Sequence, residues 1–163
     1  MEMEPGETYW NAIEPIWDSI DIDSAELFQT TFERVLRELG LLYAAHFCQS
    51  EICNGGFTQF FSNSTGVLAP ETVEGFVAIG QAKVANVVRR AMSTLGSPYL
   101  RDRAARWAAL DGLPGATGHP GHRNIDLFRP LEEDFYSLLR TDGGGFENAA
   151  DGYVVAIGYE NAS

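Results

Sequence analysis

The chain has 163 residues, of which 45% are hydrophobic and 12% aromatic, a composition that excludes a disordered chain and permits a folded core. The formal net charge is −12, from 23 acidic and 11 basic side chains. Such a field repels phosphate groups, so direct binding to nucleic acid or to an anionic membrane is disfavoured and basic partners are favoured.

The charge is distributed unevenly along the chain. Counting acidic and basic side chains gives −8 for residues 1–38, +4 for residues 84–106 and −6 for residues 107–163. One interpretation is a solvated surface whose acidic ends are attracted to the basic middle. The other is an acidic surface that binds a basic protein, and the sequence leaves both open.

The N-terminus and the cysteines indicate the cellular compartment. The opening stretch MEMEPGETYW has no basic region followed by an apolar one, and the chain contains no apolar run long enough to span a membrane. Cys48 and Cys53 are too few for the disulfide framework of a small secreted protein. We therefore predict a soluble cytoplasmic protein with reduced thiols.

The first predicted helix is amphipathic and covers residues 9–20. Its apolar side chains recur every three or four residues, while acidic side chains share another face. Pro15 interrupts the pattern, so either the helix is kinked there or a new helix begins there. The acidic side chains of this region are Glu7, Glu14, Asp18 and Asp21.

Two further helices are predicted before the glycine pair. Ser24 is the expected N-cap of a helix that ends at Gly40. A third helix covers residues 41–53 and ends at Asn54-Gly55, because asparagine and glycine tolerate the left-handed conformation common at helix ends. Residues 57–63 then form a short helix or a turn.

The second half of the chain is also mainly helical. Pro70 marks the first turn of one helix, and the apolar pattern is most regular over residues 84–95. Further helices are predicted over residues 99–110 and 126–140, with the stretch GLPGATGHPGHRN between them as a loop. Beyond three consecutive glycines, YVVAIGY predicts a short strand or an irregular tail. We expect an all-α, single-domain multi-helix bundle over residues 1–163.

No catalytic motif is recognisable, so we predict no catalytic residue, no cofactor and no enzyme. The sequence lacks the nucleophile elbow of hydrolases, the phosphate-binding loop and the paired histidines of zinc proteases. Glu132, Glu133 and Asp134 are interpreted as a solvated face, because the helical phase directs at least Glu132 and Glu133 outward.

A metal site is the sharper chemical alternative. The available ligands are His46, Cys48 and Cys53, and the loop histidines His119 and His122. Zinc takes four ligands in a tetrahedral arrangement, and these spacings match no zinc module. We interpret the thiols as core residues and the loop histidines as incidental, and predict no metal.

The glycine pair lies in a stretch that carries a family resemblance, EICNGGFTQFFSNSTG. Together with ETVEGFVAIGQAKVANVVRRAM and IDLFRPLEEDFYSLLR, it resembles a bacterial family of domains of unknown function that includes DNA mimic protein nineteen. The motif positions are Asn54, Gly55, Gly56, Phe57, Gln59, Phe60, Phe61 and Asn63, followed by Ile79 and Gly80.

This resemblance covers about residues 40–140, between acidic N-terminal helices at 7–39 and a glycine-rich segment at 141–163. It implies an all-helical fold and, for the DNA mimic, an acidic surface that occupies the DNA site of a DNA-binding protein. The glycine-rich segment departs from the helical ending that the family implies.

The acidic N-terminal helices provide the candidate partner-binding surface. Carboxylates three, four or seven positions apart on a helix are separated by about 5–10 Å, which is comparable to the spacing of phosphates along one nucleic-acid strand. Such a row can imitate a strand. The predicted partner-binding residues are Glu7, Glu14, Asp18, Asp21, Asp23 and Glu26.

The Asn54–Asn63 turn has two interpretations. In the structural one, which we prefer, the glycines make the turn, Phe57, Phe60 and Phe61 fill the core, and the Asn and Gln side chains satisfy backbone groups at helix ends. In the functional one, the side chains of Asn54, Gln59 and Asn63 line a pocket for a small ligand.

Three functions follow from these alternatives. The first is an acidic binding protein that mimics DNA and occupies the basic surface of a DNA-binding partner. The second is an immunity-like or antitoxin-like inhibitor of a basic toxin. The third is a small-ligand binder or enzyme that uses the Asn54–Asn63 turn. The sequence is compatible with a homo-oligomer and favours neither a nucleic acid nor a membrane as direct partner.

Overall fold

Eight α-helices form the framework of the part of the chain that the structure describes, residues 2–119 and 122–160. The coordinates are a computed structural model. The helices are α1 Glu7–Ile13, α2 Ala25–Phe32, α3 Arg37–Ser62, α4 Ala69–Ala78, α5 Ala82–Ser93, α6 Arg103–Asp111, α7 Arg129–Thr141 and α8 Phe146–Ala156. The prediction of an all-α fold is confirmed.

Short elements connect these helices. The 3-10 helices are Glu14–Ile16, Ser64–Leu68, Asp126–Phe128 and Asp142–Gly144. Within the described residues, the strands are β1 Thr117–His119 and β2 His122–Asn124, which pair antiparallel with Thr117 opposite Asn124. This hairpin lies in the segment that was predicted as a loop, and it is a minor addition to the helical fold.

Helix α3 is the centre of the molecule and contacts α1, α4, α6 and α7. Its buried side chains join a hydrophobic cluster that extends from Tyr9 to Val154. Although α3 has 26 residues, neither it nor another helix within the two described ranges is long and apolar enough to cross a membrane. The burial of α3 on several sides explains why its hydrophobic pattern is less one-sided than that of a surface helix.

Gly40 lies inside a helix, so its predicted role as a helix end is wrong. Helix α2 ends at Phe32, and α3 begins at Arg37 and continues through Gly40. A Cβ atom at Gly40 would lie 2.8 Å from Cε2 of Phe32. The glycine is therefore required by the close approach of an aromatic ring rather than by a turn. The predicted N-cap of α2 is confirmed, because Ser24 Oγ accepts a hydrogen bond from the Leu27 N–H at 3.4 Å.

The predicted helix over residues 9–20 is shorter than expected. Helix α1 ends at Ile13, and Pro15 lies in the first turn of the following 3-10 helix, where its missing N–H costs no hydrogen bond. Residues 17–20 form turns and a bend. The acidic residues on either side of Pro15 therefore do not share one continuous helix.

The C-terminal segment is helical, and the predicted strand at YVVAIGY is not formed. Most of this stretch belongs to α8, which packs against α1. A carboxylate of α8 caps the start of α1, since Asp151 accepts hydrogen bonds from the N–H groups of Gly6 and Tyr9 at 2.7 and 2.8 Å. The glycines before α8 have positive φ and turn the chain into it.

A close approach between α3 and α4 depends on Gly75. A Cβ atom at this position would lie 2.3 Å from the carbonyl oxygen of Leu41 on α3, and that backbone has no rotamer by which to move aside. We expect Gly75→Ala to lower the free energy of unfolding by about 2 kcal/mol, measured by urea denaturation.

Gly152 provides the matched control. It lies within α8, and a Cβ atom there would meet nothing within 4 Å. Gly152→Ala should raise the free energy of unfolding by about 0.5–1 kcal/mol, because alanine favours the helix. Equal stability of the two variants would contradict the assigned helix contact.

Candidate functional site

The two glycines of the motif break α3 at the predicted place. Gly55 has φ −151° and ψ 20°, and Gly56 has φ 73° and ψ −175°, so neither backbone is helical. The positive φ of Gly56 is a conformation that side-chain-bearing residues rarely adopt. The kink redirects the last turns of α3, residues 57–62, into the core.

The three phenylalanines after the kink are buried. Phe57, Phe60 and Phe61 each have a relative exposure of 0%. The Phe57 ring lies 5.8 Å from the rings of both Phe128 and Phe135. The segment after the glycines therefore anchors α3 to α7 and to the 3-10 helix that precedes α7.

The amide side chains of the motif converge on one carboxylate, that of Glu51. Gln59 Nε2 and Asn63 Nδ2 donate to Glu51 Oε2 at 2.6 and 3.0 Å, and Thr65 Oγ1 donates to Oε1 at 3.1 Å. Asn54 Nδ2 in turn donates to Gln59 Oε1 at 3.3 Å. We expected these amides to bind backbone groups at helix ends, and the structure corrects this: they hold a half-buried anion.

A buried arginine holds the carbonyl end of α3. Arg106 on α6 is 1% exposed, and its guanidinium donates to the carbonyl oxygens of Phe61 and Asn63 at 2.8 and 2.9 Å and to that of Arg101. Burial lowers the pKa of Arg106. The partial negative charge at the end of a helix helps to compensate the guanidinium, and the nearby Asp102 carboxylate acts in the same direction.

Two neighbouring side chains of α6 also donate hydrogen bonds to the end of α3. We call residues 61–66 and the α6 side chains that bind them the corner at the end of α3. The carbonyl oxygen of Ser62 accepts hydrogen bonds from Arg103 Nε and Trp107 Nε1 at 2.8 and 2.7 Å. Gly66 leaves room for the guanidinium, because a Cβ atom there would lie 2.7 Å from Arg106 Nε. Sequence reasoning assigned no role to Glu51 or Arg106. A single basic residue at the core-facing position of α6 is the signal that identifies Arg106.

Glu132 on α7 is half-buried, so the prediction that it points outward is wrong. A Cβ atom at Gly56 would lie 2.1 Å from its Oε2 atom, which places the carboxylate directly over the glycine kink. Burial raises the pKa of Glu132, and the nearby Arg129 acts in the opposite direction. The kink is thus covered by α7 from outside. In the 3-10 helix before α7, the Leu127 side chain is 45% exposed.

The candidate metal ligands are dispersed. Cys48 is buried, Cys53 is exposed, and neither forms a disulfide. His119 is exposed on β1, and the side chain of His122 lies outside the described residues. Within the part of the chain that the structure describes, no three His, Cys, Asp or Glu side chains are placed to hold a metal ion.

His46 instead forms the centre of an aromatic cluster that joins α1 to α3. Its ring centroid lies 5.4–5.8 Å from those of four neighbours, and the Tyr9 hydroxyl is 3.2 Å from His46 Nδ1. The 3-10 helix at Pro15 brings Trp17 back to within 5.4 Å of Trp10. The aromatic cluster consists of Tyr9, Trp10, Trp17, Tyr43, His46 and Phe47.

Three of the predicted partner-binding carboxylates surround this cluster. Glu7, Glu14 and Asp18 are exposed. Glu7 and Glu14 lie three positions before and four after Trp10, the spacings that place side chains on one side of a helix. Asp18 lies close enough to Tyr43 that, after burial as the main cause, it contributes to raising the pKa of that phenol to about 12. We call these three residues the acidic N-terminal face.

The other three predicted carboxylates lie elsewhere. Asp21 is half-buried, and its Oδ1 accepts the Asp23 N–H at 2.9 Å. Asp23 and Glu26 line a cleft of about 360 Å³ together with Arg101 and Arg103. The predicted row of six carboxylates is therefore divided into an acidic face and a cleft of mixed charge.

A comparison with known protein families identifies the family of this chain. A family model described as DMP19-like protein matches residues 33–155. The chain belongs to the DMP19-like protein family. This is not a known enzyme family. No curated protein and no solved structure matches the chain.

The extent of the DMP19-like match separates two parts of the candidate site. It includes the motif, Glu51, Arg106 and α8, so the corner at the end of α3 belongs to the family region. It begins after residues 7–26, which carry all six predicted partner-binding carboxylates. The acidic N-terminal face therefore lies outside the residues that the family model matches.

The Glu51 network leads to a stability prediction. Glu51→Gln replaces one acceptor oxygen by an NH₂ group that faces existing donors from Gln59, Asn63 or Thr65. We expect the free energy of unfolding to fall by about 2 kcal/mol in urea denaturation. Glu133→Gln, an exposed position on α7, is the control and should change it by less than about 0.5 kcal/mol. Equal effects would refute the network.

His46 leads to a prediction about pH. Burial lowers its pKa from 6.5 to about 4, so the unfolded chain takes up a proton at a higher pH than the folded protein does. The stability contributed by neutral His46 is complete above pH 6.5 and is lost as the pH falls towards 4, by about 2–3 kcal/mol. In His46→Phe, the free energy of unfolding should fall less steeply over this window; an unchanged slope would contradict the assignment.

Proposed function

We propose that this DMP19-like protein is a non-enzymatic, cytoplasmic binding protein that acts as a DNA mimic. In this proposal the acidic N-terminal face occupies the basic nucleic-acid-binding surface of a partner protein. The observation that carries the proposal is that Glu7, Glu14 and Asp18 are exposed and unneutralised. The ion pairs described within residues 2–119 and 122–160 involve none of these three.

Electrostatics support this assignment of the face. The first 38 residues carry a net charge of −8. Exposed carboxylates in this segment can attract the arginine and lysine side chains of a partner. A net charge of −12 also steers a cationic protein towards this chain over distances near the Debye length, about 8–10 Å at moderate salt. Association is therefore expected to be fast and sensitive to salt.

Asp23 and Glu26 are weaker candidates for partner contacts. They face the arginines of the mixed-charge cleft, and Asp23 Oδ1 already accepts a hydrogen bond from Ser64 Oγ at 3.0 Å. Their charge is partly compensated within the chain. The proposal therefore assigns partner capture to Glu7, Glu14 and Asp18 and leaves Asp21 as a carboxylate that shapes the turn.

The two alternatives are less well supported. A ligand site at the Asn54–Asn63 turn needs free amides, but those of Gln59 and Asn63 are engaged by Glu51, and the aromatic side chains are buried. An immunity-like inhibitor of a basic toxin would use the same electrostatics as a DNA mimic. It differs in that its partner's blocked surface need not bind DNA.

The test is capture of partners from cell extract on the immobilised protein at about 0.05 M salt, followed by elution with about 0.5 M salt or with duplex DNA. We expect a DNA-binding protein that both eluents release. The variant Glu7→Lys/Glu14→Lys/Asp18→Lys should lose this capture by at least tenfold while its circular dichroism is unchanged.

The matched control is Glu133→Lys/Asp134→Lys/Glu160→Lys, which reverses three exposed carboxylates of the C-terminal half and gives the same net charge. It should retain capture. If both variants lose capture equally, the loss is due to overall charge, and the assignment of capture to the acidic N-terminal face is rejected. Release by salt but not by DNA would favour the toxin-inhibitor alternative.

A further inference from the structure

The acidic N-terminal face surrounds an exposed indole. Trp10 is 37% exposed on α1, and its inner side rests on His46 and Trp17, with ring centroids 5.4 Å away in both cases. Large aromatic side chains are normally buried, and those left at a surface are enriched where proteins bind one another. Trp10 therefore presents a supported aromatic surface to an incoming group.

No cation of this chain covers Trp10 within the described residues. The two arginine–ring contacts there are Arg101 over Phe28 at 5.2 Å and Arg103 over Trp107 at 5.1 Å. The ring beneath Trp10 is also uncharged at neutral pH, because burial lowers the pKa of His46 to about 4. The negative face of the indole is thus available to a cation from outside.

The carboxylates beside Trp10 suit one cation better than others. Glu14 lies one helical turn from Trp10, and Asp18 lies near the Tyr43 edge of the aromatic cluster. A guanidinium can stack flat on an indole and at the same time donate paired hydrogen bonds to a carboxylate. An ammonium is a compact point charge and cannot do both equally well.

We propose that Trp10 and Glu14 form an arginine-binding contact, in which a guanidinium of the basic partner stacks on the exposed Trp10 ring and pairs with the Glu14 carboxylate. Trp17 and His46 are positioning residues that hold the indole. The inference rests on the proposed function, because the arginine is assigned to the protein that the acidic face captures. It adds a preference for arginine over lysine that charge alone does not provide.

The test measures binding of three peptides by calorimetry at about 0.05 M salt: a ten-residue arginine–glycine repeat, its lysine counterpart and its citrulline counterpart. Citrulline keeps the shape of arginine but has no charge. We expect the wild-type protein to bind the arginine peptide about three- to tenfold more tightly than the lysine peptide, and the citrulline peptide at least tenfold more weakly.

Substitutions of Trp10 then identify the contact. Trp10→Leu should weaken arginine-peptide binding about three- to tenfold and abolish the preference over lysine, whereas Trp10→Phe, which keeps a ring, should retain part of it. The control is Leu127→Ala, which trims another exposed apolar side chain, 45% exposed, and should change nothing. Unchanged preference in Trp10→Leu would overturn the inference.

The outcomes separate this inference from the proposed function. If wild type binds the arginine and lysine peptides equally, while reversal of the acidic face still abolishes capture of a DNA-releasable protein, the arginine contact is wrong and the DNA mimic stands. If Trp10→Leu loses the arginine preference, but the capture experiment yields no partner that duplex DNA releases, the arginine contact is supported and the DNA-mimic function is rejected. If Trp10→Leu converts a dimer into a monomer in light scattering, a second copy covers the face and the inference fails.

Discussion

The hydrogen bonds from the Arg106 guanidinium to the carbonyl end of α3 are the interaction on which the rest of the structure depends. The guanidinium is buried, its hydrogen bonds within the described residues go to backbone carbonyls, two of them at the end of α3, and the Asp102 carboxylate adds a favourable interaction without a hydrogen bond to it. An unpaired buried charge is costly unless oriented dipoles compensate it, so Arg106 and the end of α3 require each other. The same end of α3 carries the three buried phenylalanines of the motif. The glycine-containing turn of the motif thus leads into a helix end that Arg106 caps.

Helical periodicity revealed most of the elements but could not reveal which polar groups meet. It reports on side chains three and four positions apart, whereas Glu51 collects donors from residues eight, twelve and fourteen positions later, and Arg106 binds a carbonyl 45 positions earlier. The prediction that Gly40 ends a helix was wrong for a related reason. A glycine in a sequence indicates either a turn or a close contact, and only the packing of the Phe32 ring decides between them.

The acidic surface was predictable in composition but not in arrangement. Pro15 was recognised as an interruption, yet its effect, a 3-10 turn that brings the tilted Trp17 ring against Trp10, depends on aromatic side chains of α3 that lie about 30 residues away. Likewise, Asp23 and Glu26 look equivalent to Glu14 along the chain, but α6 places arginines opposite them. Charge counts do not distinguish carboxylates that are compensated inside the molecule from those that are open to a partner.

The cap that Asp151 places on α1 has a consequence for how the acidic segment is held. It joins residues about 145 positions apart, and α1 has only 7 residues, too few to remain helical by itself. The N-terminal helix therefore depends on its contacts with α8 and α3, and the hydrogen bonds that cap it do not involve Arg106. Hydrogen exchange in this chain should thus begin at its N-terminal helix, and α8 holds in place a segment that the family match does not include.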